Sequence, residues 1–268
     1  MEHVVPLSLG GDLKLFDAVC EPCRGLTNEQ FEQSVIRNMF SHLRYRHNLP
    51  TRSPKQRPSH VNVMVGEGLR RRELSISVTD LAGWSWGLPV FNWPGLLLQS
   101  HAPEDCYPGD FTFVISKDDS EHLLALGGGR EPVSIRANFY LGKDGHFSHF
   151  NRFIAKIAHA YAWAVLGEGF IPCLNKVISG EFTHSTFWIG NEPIGESQPE
   201  QTLWSLALVM IADSRRIERI CVRLRLFGWM DTPVYIACVG DLKEGTFIPP
   251  NSSQSRPVKV RTRPREGR

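Results

Sequence analysis

An acidic residue and a histidine stand side by side near the start of the chain, as Glu2 and His3. An imidazole titrates near neutral pH, so it can accept a proton from water. A carboxylate can hold Mg²⁺, which stabilises the negative charge that grows on a phosphodiester under attack. The pair therefore offers a metal-binding carboxylate beside a general base.

Two further features follow at short spacing. Gly10-Gly11 permits a sharp turn that brings the chain back. Cys20-Glu21-Pro22-Cys23 is a Cys-x-x-Cys knuckle ahead of a predicted helix, which is half of a structural zinc site. Packing thiols or a redox pair are the alternatives for the two cysteines, and we favour the zinc knuckle because of the neighbouring pair and turn.

The segment resembles the HNH endonucleases, whose catalytic unit is a ββα-metal finger. Their first strand carries (Asp/Glu)-His-(Ile/Val)-x-Pro followed by a Gly-Gly turn, and Glu2-His3-Val4-Val5-Pro6 with Gly10-Gly11 matches that pattern. The resemblance covers residues 1–32, about an eighth of the chain. It implies a DNA endonuclease that uses Mg²⁺ or a similar divalent ion, with Zn²⁺ as a structural ion.

The resemblance also implies residue roles. His3 would be the general base that activates water, and Glu2 would bind the catalytic metal. Asp17 stands where the family places an Asn that fixes the loop or helps the metal, so it is a second catalytic candidate. Cys20 and Cys23 would bind zinc.

The sequence departs from the family pattern at three points. Members with this knuckle carry an earlier Cys-x-x-Cys, but Met1 directly precedes Glu2, so two thiolates would have to serve a tetrahedral site. Arg24, a permanent cation, stands where the family has a metal-binding His or Asn. His3 lies at a terminus, where chains fray. We expect either a truncated finger or a start codon placed too late.

Basic residues are concentrated in two blocks of a chain whose net charge is +2. Residues 37–72 hold nine Lys or Arg and one acid, and residues 251–268 hold six and one. Such blocks suit a polyanion such as DNA, although solvated linkers have the same composition. The candidate nucleic-acid contacts are Arg24, Arg44, Arg46, Lys55 and Arg57.

The strands and helices expected along the chain predict an α+β protein. The resemblance implies that it begins with a small HNH-like ββα finger, which would position these residues. We expect the finger and its helix in residues 1–48, a basic Pro-rich linker in 49–59, a strand-rich α+β domain in 60–246 and a disordered basic tail in 247–268. Strand runs outnumber helices and do not alternate with them, which argues against a doubly wound sheet.

Individual elements follow from periodicity and capping signals. Thr27 with Gln30 forms a capping-box pattern, so the first helix is expected to start there. A second helix is predicted from Ser148 to Leu166 by one apolar face. A Trp-rich loop is predicted from Trp84 to Pro94. The predicted strands are Val61–Val65, Leu74–Val78, Phe111–Ile115, Val133–Tyr140, Thr186–Ile189, Ile220–Leu226 and Val234–Val239.

Composition excludes several classes. With 41% apolar and 22% charged residues, the chain is neither wholly disordered nor collagen-like. No run of 18 uncharged apolar residues predicts a membrane span, and the N-terminus lacks the features of a signal peptide. We therefore expect a cytoplasmic protein with reduced cysteines.

Three functions remain open at this stage. The first is an HNH-type metal-dependent endonuclease that cuts DNA. The second is a catalytically decayed module that binds nucleic acid or protein. The third is an enzyme of another class in residues 60–246, which also offer a surface for a protein partner; these residues show no nucleophile–base pair or cofactor loop at telling spacing.

Overall fold

The protein contains both helices and antiparallel sheets, which confirms the predicted α+β class. The structure is a computed structural model. It describes residues 1–16, 20–51, 53–65, 72–77, 86–98, 108–114, 148–182, 184–192, 200–230, 232–250 and 252–257. The predicted strand Val133–Tyr140 and the candidate Asp17 lie outside these residues.

Five α-helices are found in the described residues. The first continues as π-helical turns over Asn28–Glu32 and Val35–Met39. The helices are α1 (Glu21–Thr27), α2 (Ser41–Arg46), α3 (Gly95–Leu98), α4 (Ser148–Leu166) and α5 (Asn175–Ser179).

The described strands form one large sheet and three separate two-stranded sheets. The strands are β1 (Glu2–His3), β2 (Lys14–Leu15), β3 (His60–Val65), β4 (Arg72–Ser77), β5 (Trp86–Phe91), β6 (Pro108–Val114), β7 (Phe170–Pro172), β8 (Ile189–Asn191), β9 (Thr202–Ala212), β10 (Glu218–Leu226), β11 (Val234–Leu242) and β12 (Ser253–Pro257).

The large sheet runs in the order β12-β9-β10-β11-β7, and β8 also pairs with β11. Its neighbours are antiparallel, with Val222 opposite Leu208 and Cys221 opposite Cys238. Successive side chains of a strand point to opposite faces. Val222 and Ala237 accordingly join the main core, whereas Cys221 and Cys238 pack with Leu97 and Ile236 on the other face.

Helix α4 covers the main-core face of the sheet. Its bounds are those predicted from its apolar periodicity, and Phe153, Ile154 and Tyr161 on it are fully buried. A helix of 19 residues that is apolar on most of its surface needs partners on more than one side. The sheet supplies one of them, and the N-terminal segment supplies another.

The N-terminal segment shares this core. Val4, Phe31 and Phe40 belong to the same buried cluster as residues of α4 and the sheet. The Phe40 ring lies 6.1 Å from that of Phe153 and 5.5 Å from that of Phe227, measured between centroids. The division into a 1–48 finger and a 60–246 domain stays a prediction, but residues from both contribute to one core.

The two-stranded sheet β5–β6 is joined to the large sheet by two buried hydrogen bonds. Phe91 N donates to Asn191 Oδ1 at 2.7 Å, and Tyr235 Oη donates to the Pro89 carbonyl at 2.9 Å. This small sheet includes residues predicted as a Trp-rich loop, since Trp86–Phe91 forms a strand. The loop interpretation was wrong there because β5 is an edge strand, which tolerates Pro89 opposite Phe111 and Gly87 opposite Phe113.

Three other expectations also differ from the structure. The first helix begins at Glu21 and Thr27 is its last α-helical residue, so Thr27 is not the N-cap. Residues 185–187 form a 3₁₀ turn, and the strand begins at Ile189. Residues 253–257, placed in the disordered tail, pair with β9 as an edge strand, because backbone pairing does not require apolar side chains.

Candidate functional site

The segment that carries Glu2 and His3 is an antiparallel hairpin. Glu2 lies opposite Leu15 and His3 opposite Lys14. The Val4 amide extends the pairing by donating to the Leu13 carbonyl at 3.0 Å. His3 is half-buried, and its backbone is held by this pairing although it is near the terminus.

Two glycines shape the connection between the strands. Gly10 adopts a φ of +85°, which favours glycine, and its amide donates to the Leu7 carbonyl at 2.8 Å. A Cβ on Gly11 would lie 1.6 Å from the Val5 carbonyl oxygen. The Gly-Gly pair read from the sequence is therefore required for the chain to return along β1.

A helix follows the hairpin, and Cys20 is its N-cap. Cys20 has extended backbone (ψ 155°), and its Sγ accepts a hydrogen bond from the Cys23 amide at 3.3 Å. Pro22 occupies the first turn, where a missing N–H costs nothing. Strand, strand and helix thus follow in the order that the ββα resemblance implies.

The Glu2 carboxylate is engaged by α4 rather than exposed. Lys156 Nζ donates to Glu2 Oε1 at 2.5 Å and also to Glu32 Oε2. Lys156 and Glu32 are 8% and 9% exposed, so three charged groups meet almost out of solvent. These ion pairs join β1 and the N-terminal helical segment to α4.

The electrostatics of this triad favour a charged lysine. Burial by itself would lower the pKa of Lys156, but the charges of Glu32 and Glu2 outweigh burial and raise the pKa above its ordinary value. The ammonium therefore stays charged at neutral pH. A divalent ion on Glu2 would have to compete with this fixed cation.

Glu2 and His3 do not build a magnesium site from the described residues alone. Within those residues no group of three or more His, Cys, Asp or Glu side chains is arranged to hold a metal. Glu2 Oε1 faces Lys156. Among the described residues, Glu2 and His3 alone do not make a donor set that fits the ion that the resemblance implies; Asp17 lies outside those residues.

The zinc knuckle is likewise incomplete among the described residues. Cys20 and Cys23 are both exposed and free of disulfide. Hydrogen bonds from the Cys23 thiol and amide lower the pKa of Cys20, whereas the hydrogen bond with Cys20 and its charge raise the pKa of Cys23. Two thiols are half the ligands that a tetrahedral site requires.

Arg24 lies next to Met1, the residue before β1. Its Nη1 donates to the Met1 carbonyl at 3.3 Å, and its Nη2 pairs with the Glu21 carboxylate. The side chain is 38% exposed. This places a permanent positive charge close to the strand that carries His3.

The other predicted nucleic-acid contacts lie in α2 and in the segment that follows it, and Arg44 and Arg57 are near enough for their charges to interact. Arg44 is half-buried, its Nε donates to the Ser8 carbonyl at 3.1 Å, and burial lowers its pKa. Arg57 donates to Asn48 Oδ1 and to the Leu49 carbonyl. Lys55 is exposed on a 3₁₀ turn, and Arg46 lies in α2. Arg44 and Arg57 therefore have structural partners, whereas Lys55 is exposed and can reach a phosphate.

Sequence reasoning missed Lys156 and Glu32. A signal was present, because Lys156 interrupts the apolar run Ile154-Ala155-Lys156-Ile157-Ala158 in a helix expected to be buried. A charge in such a place is nearly always paired. The periodicity could not name its partners, which lie 154 and 124 residues away in the chain.

Comparison with known proteins gives no match. No family model, no curated protein and no solved structure matches the chain. Among the described residues, no helix has the length and apolar character needed to cross a bilayer.

Proposed function

We propose that the chain hydrolyses phosphodiester bonds in DNA, at a centre formed by β1 and the start of α1. The observation that carries the proposal is the order of the elements: a hairpin with Glu2-His3 on its first strand leads directly into a helix capped by Cys20. This is the arrangement that the ββα resemblance implies, built around a tight turn that needs Gly11.

His3 and Arg24 have complementary roles in this proposal. His3 removes a proton from water as the water oxygen attacks phosphorus; the P–O bond to the leaving oxygen breaks, and that oxygen takes a proton from the solvent. Arg24 supplies a fixed positive charge near β1, suited to the non-bridging phosphate oxygens. Glu2 holds β1 against α4 through Lys156. No step is assigned to Mg²⁺, because the described residues do not form its site.

The test compares two histidine variants on supercoiled plasmid. His3→Ala removes the proposed base, so we expect nicking to fall at least about 100-fold. His60→Ala removes an exposed imidazole at the start of β3 and should cut like the unmodified protein. Each reaction is run with Mg²⁺, with Mn²⁺ and with EDTA. An unmodified protein that never nicks DNA, or a His3 variant of full activity, contradicts the proposal.

A second function, DNA binding without catalysis, is favoured by the pairing of Glu2 with Lys156. Phosphate contacts release counterions, so the affinity should fall linearly on a log–log plot against salt. Binding with such a slope and no nicking supports this second function over the first. If the protein neither nicks DNA nor binds it in this salt-dependent way, both are wrong.

Glu2→Gln separates the metal-ligand role from the clamp role. If Glu2 binds the metal, Glu2→Gln should lose nicking activity that partly recovers at higher Mg²⁺, and its thermal stability should change little. If Glu2 instead holds β1 against α4, Glu2→Gln should unfold at a lower temperature, because the amide weakens the ion pair with Lys156. Below that temperature the variant should still nick DNA.

A further inference from the structure

Cys20 and Cys23 differ in environment from the other described cysteines. Both are exposed, whereas Cys221 and Cys238 are buried and Cys173 is half-buried. The two exposed thiols are separated by Glu21 and Pro22 and lie at the first turn of α1. A small reagent in solution can therefore reach this pair directly.

The backbone brings the two cysteines into a relation that suits a disulfide. The two cysteines are three positions apart across the first turn of α1, where the Arg24 amide donates back to the Cys20 carbonyl at 3.0 Å. The extended N-cap conformation of Cys20 folds its Sγ back to 3.3 Å from the Cys23 amide. Pro22 fixes one φ between them, which limits the conformational freedom of the short loop.

Among the described residues, no further ligands complete a tetrahedral zinc site with Cys20 and Cys23. We propose instead that Cys20 and Cys23 are a reversible dithiol–disulfide couple whose oxidant is a low-molecular-weight disulfide such as glutathione disulfide. The inference does not rest on the proposed nuclease activity, and its readout needs no DNA.

The exchange proceeds in two balanced steps. The Cys20 thiolate attacks one sulfur of glutathione disulfide, which forms a mixed disulfide and releases one glutathione thiolate. The Cys23 thiolate then attacks the Cys20 sulfur, which closes the intramolecular bond and releases the second glutathione. Two protons leave the cysteine thiols and are taken up by the two released thiolates. Glutathione in excess reverses both steps.

The experiment counts free thiols in the full chain across glutathione redox buffers. Cys106 lies outside the described residues, so it is replaced by serine, which leaves five of the six cysteines. Samples are quenched in acid, denatured and alkylated with a maleimide mass tag. We expect five tags under reducing conditions and three under oxidising conditions, in one transition. Five tags at every ratio overturn the proposal.

Single serine variants identify the pair and the order of attack. Cys23→Ser should accumulate a glutathione adduct at Cys20, and Cys20→Ser should form an adduct more slowly. Cys173→Ser is the matched control and should still lose two tags together. If Cys20→Ser or Cys23→Ser still loses two tags, or if the protein retains one zinc per chain after chelation together with all five thiols, the couple does not exist.

Discussion

Lys156 connects three parts of the chain through a single ammonium group. Removing it leaves the Glu2 and Glu32 carboxylates close together with little water. Breaking a buried pair by deleting one partner costs about 3–5 kcal/mol. We expect Lys156→Met to lower the free energy of unfolding by this amount in urea titrations at pH 7. Lys176→Met, on the exposed side of α5, should change it by less than about 0.5 kcal/mol.

The same lysine gives a pH prediction. Burial opposes the charge, but Glu32 and Glu2 raise the pKa of Lys156 above its ordinary 10.5. A raised pKa in the folded state means that the stabilisation is complete below pH 10.5 and is lost as the pH climbs through the folded value. The stability difference between the unmodified protein and Lys156→Met should stay constant from pH 7 to pH 9.5.

Above about pH 10.5 that difference should begin to shrink, and it should continue to do so as Lys156 loses its proton. Taking the difference cancels tyrosine and cysteine titrations that both proteins share. Urea titrations at each pH measure it. A difference that stays the same well beyond pH 10.5, or that already declines at pH 8, contradicts the pairing.

At the scale of elements, the turn between β1 and β2 depends on the lack of a side chain at Gly11. An added Cβ would meet the Val5 carbonyl at 1.6 Å, so the backbone must shift. Gly11→Ala should lower the free energy of unfolding by about 1–3 kcal/mol or more. Gly25→Ala is the matched control, because it lies inside α1 with open space around it.

We expect Gly25→Ala to raise the free energy of unfolding by about 0.5–1 kcal/mol, since alanine loses less backbone entropy in a helix. Thermal and urea unfolding of the two variants measure both changes. Equal effects would show that the turn can relax around the extra carbon and that the hairpin does not require glycine.

How far the sequence predicted each element depended on the strength of its local signal. Helix α4 was found at its observed bounds because its apolar period persists for five turns. The start of α1 was misplaced because Cys20 caps it and cysteine is not a typical cap, whereas Thr27 and Gln30 imitate a capping box. Strand β9 was missed because its near-continuous apolar residues show little alternation.

In the candidate site, too, only the features with a local sequence pattern could be predicted. Turn, strand pair and helix order followed from Gly10-Gly11 and the spacing to Cys20, all within 23 residues. The partner of Glu2 depends on Lys156, and no local pattern encodes a contact over 154 residues. The α+β class was confirmed because it requires only the types of the elements and their order.

At the scale of the whole molecule, the shared core predicts how the chain unfolds. The Phe40 ring, from the N-terminal segment, packs against Phe150 and Phe153 of α4 and against Phe227 after β10. A core of this kind couples its parts, so the described residues should unfold as one cooperative unit. An independent finger would instead give a separate transition.

Phe40→Ala tests this coupling because it leaves a cavity where the N-terminal segment, α4 and the sheet meet. Truncating a buried phenylalanine costs about 3–5 kcal/mol. We expect one transition in both proteins, with far-UV circular dichroism and tryptophan fluorescence changing together, and a lower midpoint for the variant. Phe247 is 74% exposed, so Phe247→Ala is the control and should leave the midpoint unchanged. If Phe40→Ala instead splits the curve, so that fluorescence and dichroism change at different urea concentrations, the N-terminal segment folds apart from α4 and the predicted division at residues 49–59 is the better description.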